Sequence, residues 1–179
     1  MNKINKNILI FVENLYEDLE LQYPKIRLKE AGADVKVAGP KKGETYKAVH
    51  GLPCVADLSF DEVNVNQFDG LVIPGGYAPD KLRKNQKVLD IVKKFNEEDK
   101  LIAFICHAGW VPISAGVIDG VRCTSVQNIK DDLINAGAKW EDKEVVIDKH
   151  FISSRTPDDL PFFCPAIIEF LSHETIKQR

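Results

Sequence analysis

The sequence predicts a three-layer α/β/α sandwich on a mainly parallel sheet. Three observations point there. Four short apolar runs lack the polar alternation of a half-exposed strand and read as strands buried on both faces. Segments of helical period separate them, so successive strands are joined by right-handed crossovers. The chain of 179 residues is long enough for one core and short for two, giving a single domain over residues 1–179.

The first strand is Asn7 to Val12, NILIFV. EDLELQYPKIRLKEAG follows, with Leu19, Tyr23, Ile26 and Leu28 near helical spacing and Gly32 as a helix end before the second strand, Asp34 to Ala38. KAVHGLPCVADL, between Tyr46 and Leu58, resembles an exposed hairpin. The third strand is Gly70 to Ile73. A helix over Lys81 to Glu98 carries Leu82, Val88, Leu89, Val92 and Phe95, and leads to the fourth strand, Leu101 to Ile105. Asn128 to Ala136 and Leu160 to Leu171 read as helices, and Glu144 to Ser154 as a hairpin. No linker, repeat or low-complexity tract interrupts the pattern.

Composition narrows the function. The chain is 44% apolar and 28% charged with a net charge of −3, and it has no lysine or arginine run, so nucleic acid is not an expected partner. MNKINKNILIFVEN has only about seven apolar residues before Glu13 and no cleavage-site pattern, which argues against a signal peptide or a membrane span. A cytoplasmic location is expected. The four cysteines, at 54, 106, 123 and 164, have no close pairing, so neither a disulfide framework nor a structural zinc site is expected.

Ligands of such folds bind outside the carboxyl ends of the strands. The first strand ends in ENLYEDLE, the third in PGGYAPD and the fourth in CHAGW. Cys106 stands where a strand turns sharply into a helix, the setting of a nucleophile elbow, and Ala108 and Gly109 let the backbone turn. A helix N-terminus favours the thiolate; lowering a pKa of about 8.5 by roughly two units takes about 2.7 kcal/mol. A buried cysteine acting as a small apolar residue is the competing reading. PGGYAP matches no phosphate-binding loop; the N–H of Gly76, with that of His107, is suited to an oxyanion, and a plain tight turn is the alternative. Glu13, Glu17, Asp18 and Glu20 crowd one helix start. Charge complementing the dipole accounts for most of them, whereas a carboxyl aimed at Cys106 would have a raised pKa and exchange a proton.

These segments together resemble the PfpI family of intracellular proteases, in the superfamily of the parkinsonism-associated protein deglycase and related to class I glutamine amidotransferases. The resemblance runs from about Asn7 to Leu171 and rests on NLYEDLEL, FDGLVIPGGYAPDKLR, ICHAG, IKDDLINAGAKWEDKEVVID and SSRTPDDLP. It implies a flavodoxin-like fold, no cofactor or metal, and a homodimer or a hexamer of dimers. It implies Cys106 as nucleophile, His107 as its base and Glu17 as the carboxyl bonded to the thiolate. Gly75, Gly76 and the His107 backbone fall in its oxyanion region, and Asp80 is an acid reaching His107 across a subunit interface. The implied activities are glyoxalase III-like or deglycase action on methylglyoxal and its adducts, with two alternatives: peptide or amide hydrolysis, and a redox-sensing or chaperone-like role with little turnover.

The sequence departs from that family's usual pattern. CHAGW stands for Cys-His-Gly-Pro, Phe104 for a small residue, Leu15 for a glycine, Asp80 for a glutamate and Val126 for a tyrosine found in some members. His50, His150 and His173 read as solvated or structural, Cys54, Cys123 and Cys164 as packing residues, and Arg155 and Asp158 as a loop anchor and a helix cap.

Overall fold

The computed structural model describes residues 4–177. Its centre is a seven-stranded sheet in the order β10-β11-β7-β6-β1-β2-β5. β1 is Asn7–Phe11, β2 Asp34–Gly39, β5 Leu58–Ser59, β6 Gly70–Ile73, β7 Leu101–Ile105, β10 Val146–Asp148 and β11 Phe151–Ser154. All neighbours run parallel except β10, which pairs antiparallel with β11. The four apolar runs are the four central predicted strands, and every residue of β6 and β7 is buried.

Helices cover both faces. On one side lie α1, Asp18–Glu30, and α6, Leu160–Lys177, over a core that includes Ile8, Ile10, Leu21, Leu28, Phe163 and Ile167. On the other lie α3, Gln86–Glu97, α4, Trp110–Ala115, and α5, Lys130–Asn135, over Leu9, Phe11, Leu71, Phe95, Phe104 and Leu133. The result is the expected three-layer sandwich.

Some details differ from the sequence reading. The helix expected over Lys81 to Glu98 is two helices, α2 at Ala78–Leu82 and α3, because the Asn85 side chain accepts from the Lys87 N–H and caps a new start. The region after Tyr46 is a hairpin, β3 at Thr45–Lys47 with β4 at Pro53–Val55, but Leu58 pairs with β2 and extends the main sheet. A small parallel pair, β8 at Arg122–Cys123 and β9 at Lys139–Trp140, adds to the expected elements.

The phase of α1 is the correction with consequences. Leu19, Tyr23 and Ile26 are 52%, 40% and 66% exposed, whereas Asp18, Glu20, Leu21, Pro24 and Leu28 are buried. The helix is apolar on both faces, so apolar spacing alone selects the wrong one.

Candidate active site

Two strand ends are zipped together by backbone hydrogen bonds before any side chain is considered. The Glu17 N–H donates to Gly75 O at 3.1 Å, and the N–H groups of Tyr77 and Ala78 donate to Leu15 O at 2.8 and 3.2 Å. Gly76 has φ +78°, and a Cβ there would lie 2.5 Å from Glu17 N and 2.6 Å from Leu15 O, so only glycine fits. Leu15 itself has φ +67°, a left-handed conformation that is unfavourable for a residue other than glycine.

Beside this junction, β7 ends at Ile105 and the chain turns through a 3-10 segment, Cys106–Gly109, into α4. Cys106 has φ +61°, a strained value for a non-glycine residue and the geometry of the expected nucleophile elbow. Its side chain is nearly buried, and the backbone N–H groups of His107 and Gly76 point at the sulfur. These are the two donors expected for an oxyanion. Gly75 contributes differently: its N–H donates to Glu20 Oε2 at 2.7 Å.

Glu20 is the carboxyl that meets the thiol. It is fully buried on the inner face of α1 and is a hydrogen-bond partner of Cys106. Glu17 instead caps α1, its Oε2 accepting from the Glu20 N–H at 2.8 Å. The structure thus gives Glu17 a helix-capping place next to the pair and puts Glu20, one helical turn on, against Cys106. A signal for this lay in the sequence: with Leu21, Pro24 and Leu28 taken as the inner face, Glu20 falls on it.

The electrostatics correct a second expectation. Burial, then the charge of Glu17, pushes the Glu20 carboxyl up to about 8, against the pull of the Gly75 N–H and the Cys106 thiol. Glu20 Oε1 has no hydrogen-bond partner among the described residues, a further penalty on the charged form. Burial, then the charge of Glu20, pushes the Cys106 thiol up to about 12, although the two backbone N–H groups lower it. The helix that follows is six residues long, too short for its dipole to outweigh burial. Cys106 is therefore held as a thiol next to a carboxyl that loses its proton first, and the two titrate as a coupled pair.

His107 Nδ1 lies 3.3 Å from Cys106 Sγ. Burial lowers the His107 pKa, which keeps the imidazole neutral. Asp80 is not brought to it within the chain: its side chain is 64% exposed and pairs with Lys84 at 3.7 Å.

The site leaves no room at Gly75. A Cβ there would lie 2.5 Å from Glu20 Oε2 and 2.8 Å from Cys106 Cβ. Gly75→Ala is expected to push the carboxyl and the thiol apart, with a loss of about a hundredfold in Cys106-dependent rate for a displacement near 1 Å. Kinetics and thermal melting on the purified variant would check this; an unchanged rate would contradict the placement.

The other candidates take structural places. Asp18, also buried, accepts from the N–H groups of His50 and Leu52 and from His50 Nδ1, and so ties the β3–β4 hairpin to α1. Among the described residues, Glu17, Asp18 and His50 bring potential metal-ligand atoms within 4.8 Å of one another, but Asp18 is already engaged by this hairpin. His150 is buried with Nε2 2.9 Å from Asn96 Oδ1, and His173 lies on exposed surface 3.6 Å from Glu169. Cys54, Cys123 and Cys164 are buried free thiols. Arg155 is a loop anchor, with Asp159 and Asp142 as its partners; Asp158 lies inside the 3-10 turn Pro157–Asp159, whose N-cap position is Thr156.

Known proteins carry the same architecture. The chain is 50% identical over 153 residues to a deglycase of Pyrococcus abyssi, covering 86% of this chain and 92% of that protein. It is 48% identical over 153 residues to the deglycase PfpI of Pyrococcus furiosus, with the same coverage of 86% and 92%. The crystal structure of Drosophila melanogaster DJ-1beta superposes with a TM-score of 0.88 at 31% identity, covering 94% of this chain and 91% of that one. The DJ-1/PfpI family pattern matches residues 6–170, and with a flavodoxin-like sheet and a cysteine at the elbow after β7, this chain belongs to the DJ-1/PfpI family.

Proposed function

We propose that this protein is a cytoplasmic, cofactor-independent, stress-protective enzyme whose Cys106 attacks a carbonyl carbon, with glyoxalase III-like or deglycase action on methylglyoxal and its adducts. The observation that carries this reading is the buried contact of Cys106 with Glu20 beneath the N–H groups of Gly76 and His107. The relatives named deglycase support the deglycase side of this reading.

The chemistry follows from the atoms present. As Sγ bonds to the aldehyde carbon, the thiol proton passes to the Glu20 carboxylate and the carbonyl π electrons move to oxygen, whose negative charge is stabilised by hydrogen bonds donated by the two N–H groups until Glu20 returns the proton to it. The product is a hemithioacetal. With methylglyoxal, the hydrogen on that carbon and the hydroxyl hydrogen leave as protons while the neighbouring ketone gains one proton on carbon and one on oxygen, so one carbon is oxidised as the other is reduced and no external oxidant is needed. Water then cleaves the resulting thioester to lactate and restores the thiol. A carboxyl with a pKa near 8 both accepts and returns protons at neutral pH, which suits Glu20 to these transfers.

Peptide hydrolysis asks for more. It requires His107 to be oriented as a base and later to protonate a leaving amine, and within one chain Asp80 is turned to solvent. The proposed assembly is a homodimer or a hexamer of dimers, in keeping with the exposed apolar stripe Leu19, Tyr23 and Ile26 on α1. If a partner's Asp80 completes the site, mixing inactive Cys106→Ala with Asp80→Ala subunits is expected to restore some peptidase activity that neither parent has. A stable, fully active monomer in light scattering would contradict it.

The test of the substrate class is one preparation assayed with methylglyoxal, glycated thiols and fluorogenic peptides, against buffer-only and free-amine controls. Saturable dicarbonyl turnover with lactate as product is expected. Turnover of peptides alone would overturn the reading.

A further inference from the structure

The His107 ring has no carboxylate bonded to it among the described residues, yet it is not loose. It meets Cys106 Sγ at 3.3 Å on one side and the Trp110 ring on the other, with centroids 5.3 Å apart and planes at 56°. Trp110 is the first residue of α4, three positions after His107, so the turn that makes the elbow also brings these two rings into tilted contact.

Trp110 is itself fixed from two sides. Its Nε1–H donates to Asp132 Oδ2 on α5 at 2.8 Å. The Arg83 guanidinium, at the end of α2, lies 5.4 Å from the Trp110 ring centroid, and Arg83 Nε donates to Ser114 Oγ at 2.9 Å. The half-buried indole is thereby tied by a hydrogen bond to α5 and by a cation from the end of α2.

We propose that Trp110 is a positioning residue: its ring, pinned by Asp132 and Arg83, holds the His107 imidazole with Nδ1 toward Cys106 within a single subunit. In a Ser-His-Asp arrangement the acid sets the orientation of the imidazole. Here an aromatic ring does so without adding charge, and the imidazole stays neutral. The Nε1–Asp132 bond limits rotation of the indole, and Arg83 limits its displacement away from the elbow.

The inference rests on the nucleophilic role given above to Cys106, whose sulfur His107 meets, but its test uses no carbonyl substrate and so stands apart from the choice of substrate class. Iodoacetamide alkylation of Cys106, followed against pH with the site read by mass spectrometry, is measured for wild type, Trp110→Phe, Trp110→Leu and Trp110→Ala, each also in a His107→Gln background. The His107 ring is followed in parallel by nitrogen-15 NMR. Trp110→Phe, which keeps an aromatic face, is expected to stay within about twofold of wild type, while Trp110→Ala and Trp110→Leu slow alkylation at neutral pH by roughly tenfold. Their His107 titration is expected to move up toward the ordinary value of 6.5 as the ring becomes solvated. In the His107→Gln background the Trp110 substitutions should add nothing, since they act through that ring. Trp110→Leu retains apolar volume and serves if Trp110→Ala does not fold. Unchanged alkylation and titration in Trp110→Leu, or the same tenfold loss without His107, would overturn the proposal.

Discussion

Cys106→Ala is expected to remove turnover of every carbonyl substrate while leaving the melting transition close to that of wild type. The thiol is the only nucleophile that the proposed reaction uses, so its loss should cost at least about a thousandfold in kcat, down to background. The side chain is small, and removing one sulfur at a strained left-handed position costs little packing. Cys54→Ala is the matched control: that thiol is also buried, but it lies in β4 and its neighbour is Lys25 Nζ at 3.9 Å. Stopped-assay product measurement on both purified variants checks this. Substantial lactate formation by Cys106→Ala would remove the mechanism.

Glu20→Gln carries the second large effect, and it acts on both rate and stability. The amide keeps an oxygen for the Gly75 N–H but cannot take the proton from Sγ, so the rate is expected to fall by about a hundredfold to ten-thousandfold. Wild-type activity should rise with pH through about 8 as the Glu20 carboxyl ionises, and the variant should lack that limb. Stability moves the opposite way. The folded-state pKa is raised from 4.5 to about 8, so the folded protein holds a proton that the unfolded chain releases. That contribution is fully present below about pH 4.5 and is lost as pH rises through about 8. Glu20→Gln does not titrate, and denaturant melts at pH 5 and pH 9 are therefore expected to show it gaining on wild type at the higher pH. A constant difference between the two proteins across that range would contradict the buried, protonated carboxyl.

Much of this was legible in the sequence because it depended on local pattern. Runs such as LIAFI and GLVI are short and lack polar alternation, which favours strands buried on both faces of a parallel sheet, and the small residues of CHAG favour a sharp turn at the strand end. The parts that were not legible depend on how one helix is rotated. α1 shows Leu19, Tyr23 and Ile26 to solvent and Glu20 to the core, an arrangement opposite to the one apolar periodicity favours. That rotation, less than a turn of helix, makes Glu17 a cap and Glu20 the partner of the thiol. The roles of Gly75 and Gly76 likewise separate only in three dimensions, one N–H facing a carboxylate oxygen and the other facing sulfur. The acidity expected of Cys106 differs from that in the fold for a related reason: a helix start is visible in a sequence, but the burial that outweighs it is not.

The protonation state of Glu20 is the claim on which the rest depends. Infrared difference titration of the carboxylic acid carbonyl band, wild type against Glu20→Gln, measures it directly. The expected result is a protonated carboxyl present in wild type at pH 7, disappearing as pH rises through about 8 and absent from the variant. A wild-type spectrum with no protonated carboxyl above pH 6, or a band that persists in Glu20→Gln, would contradict it.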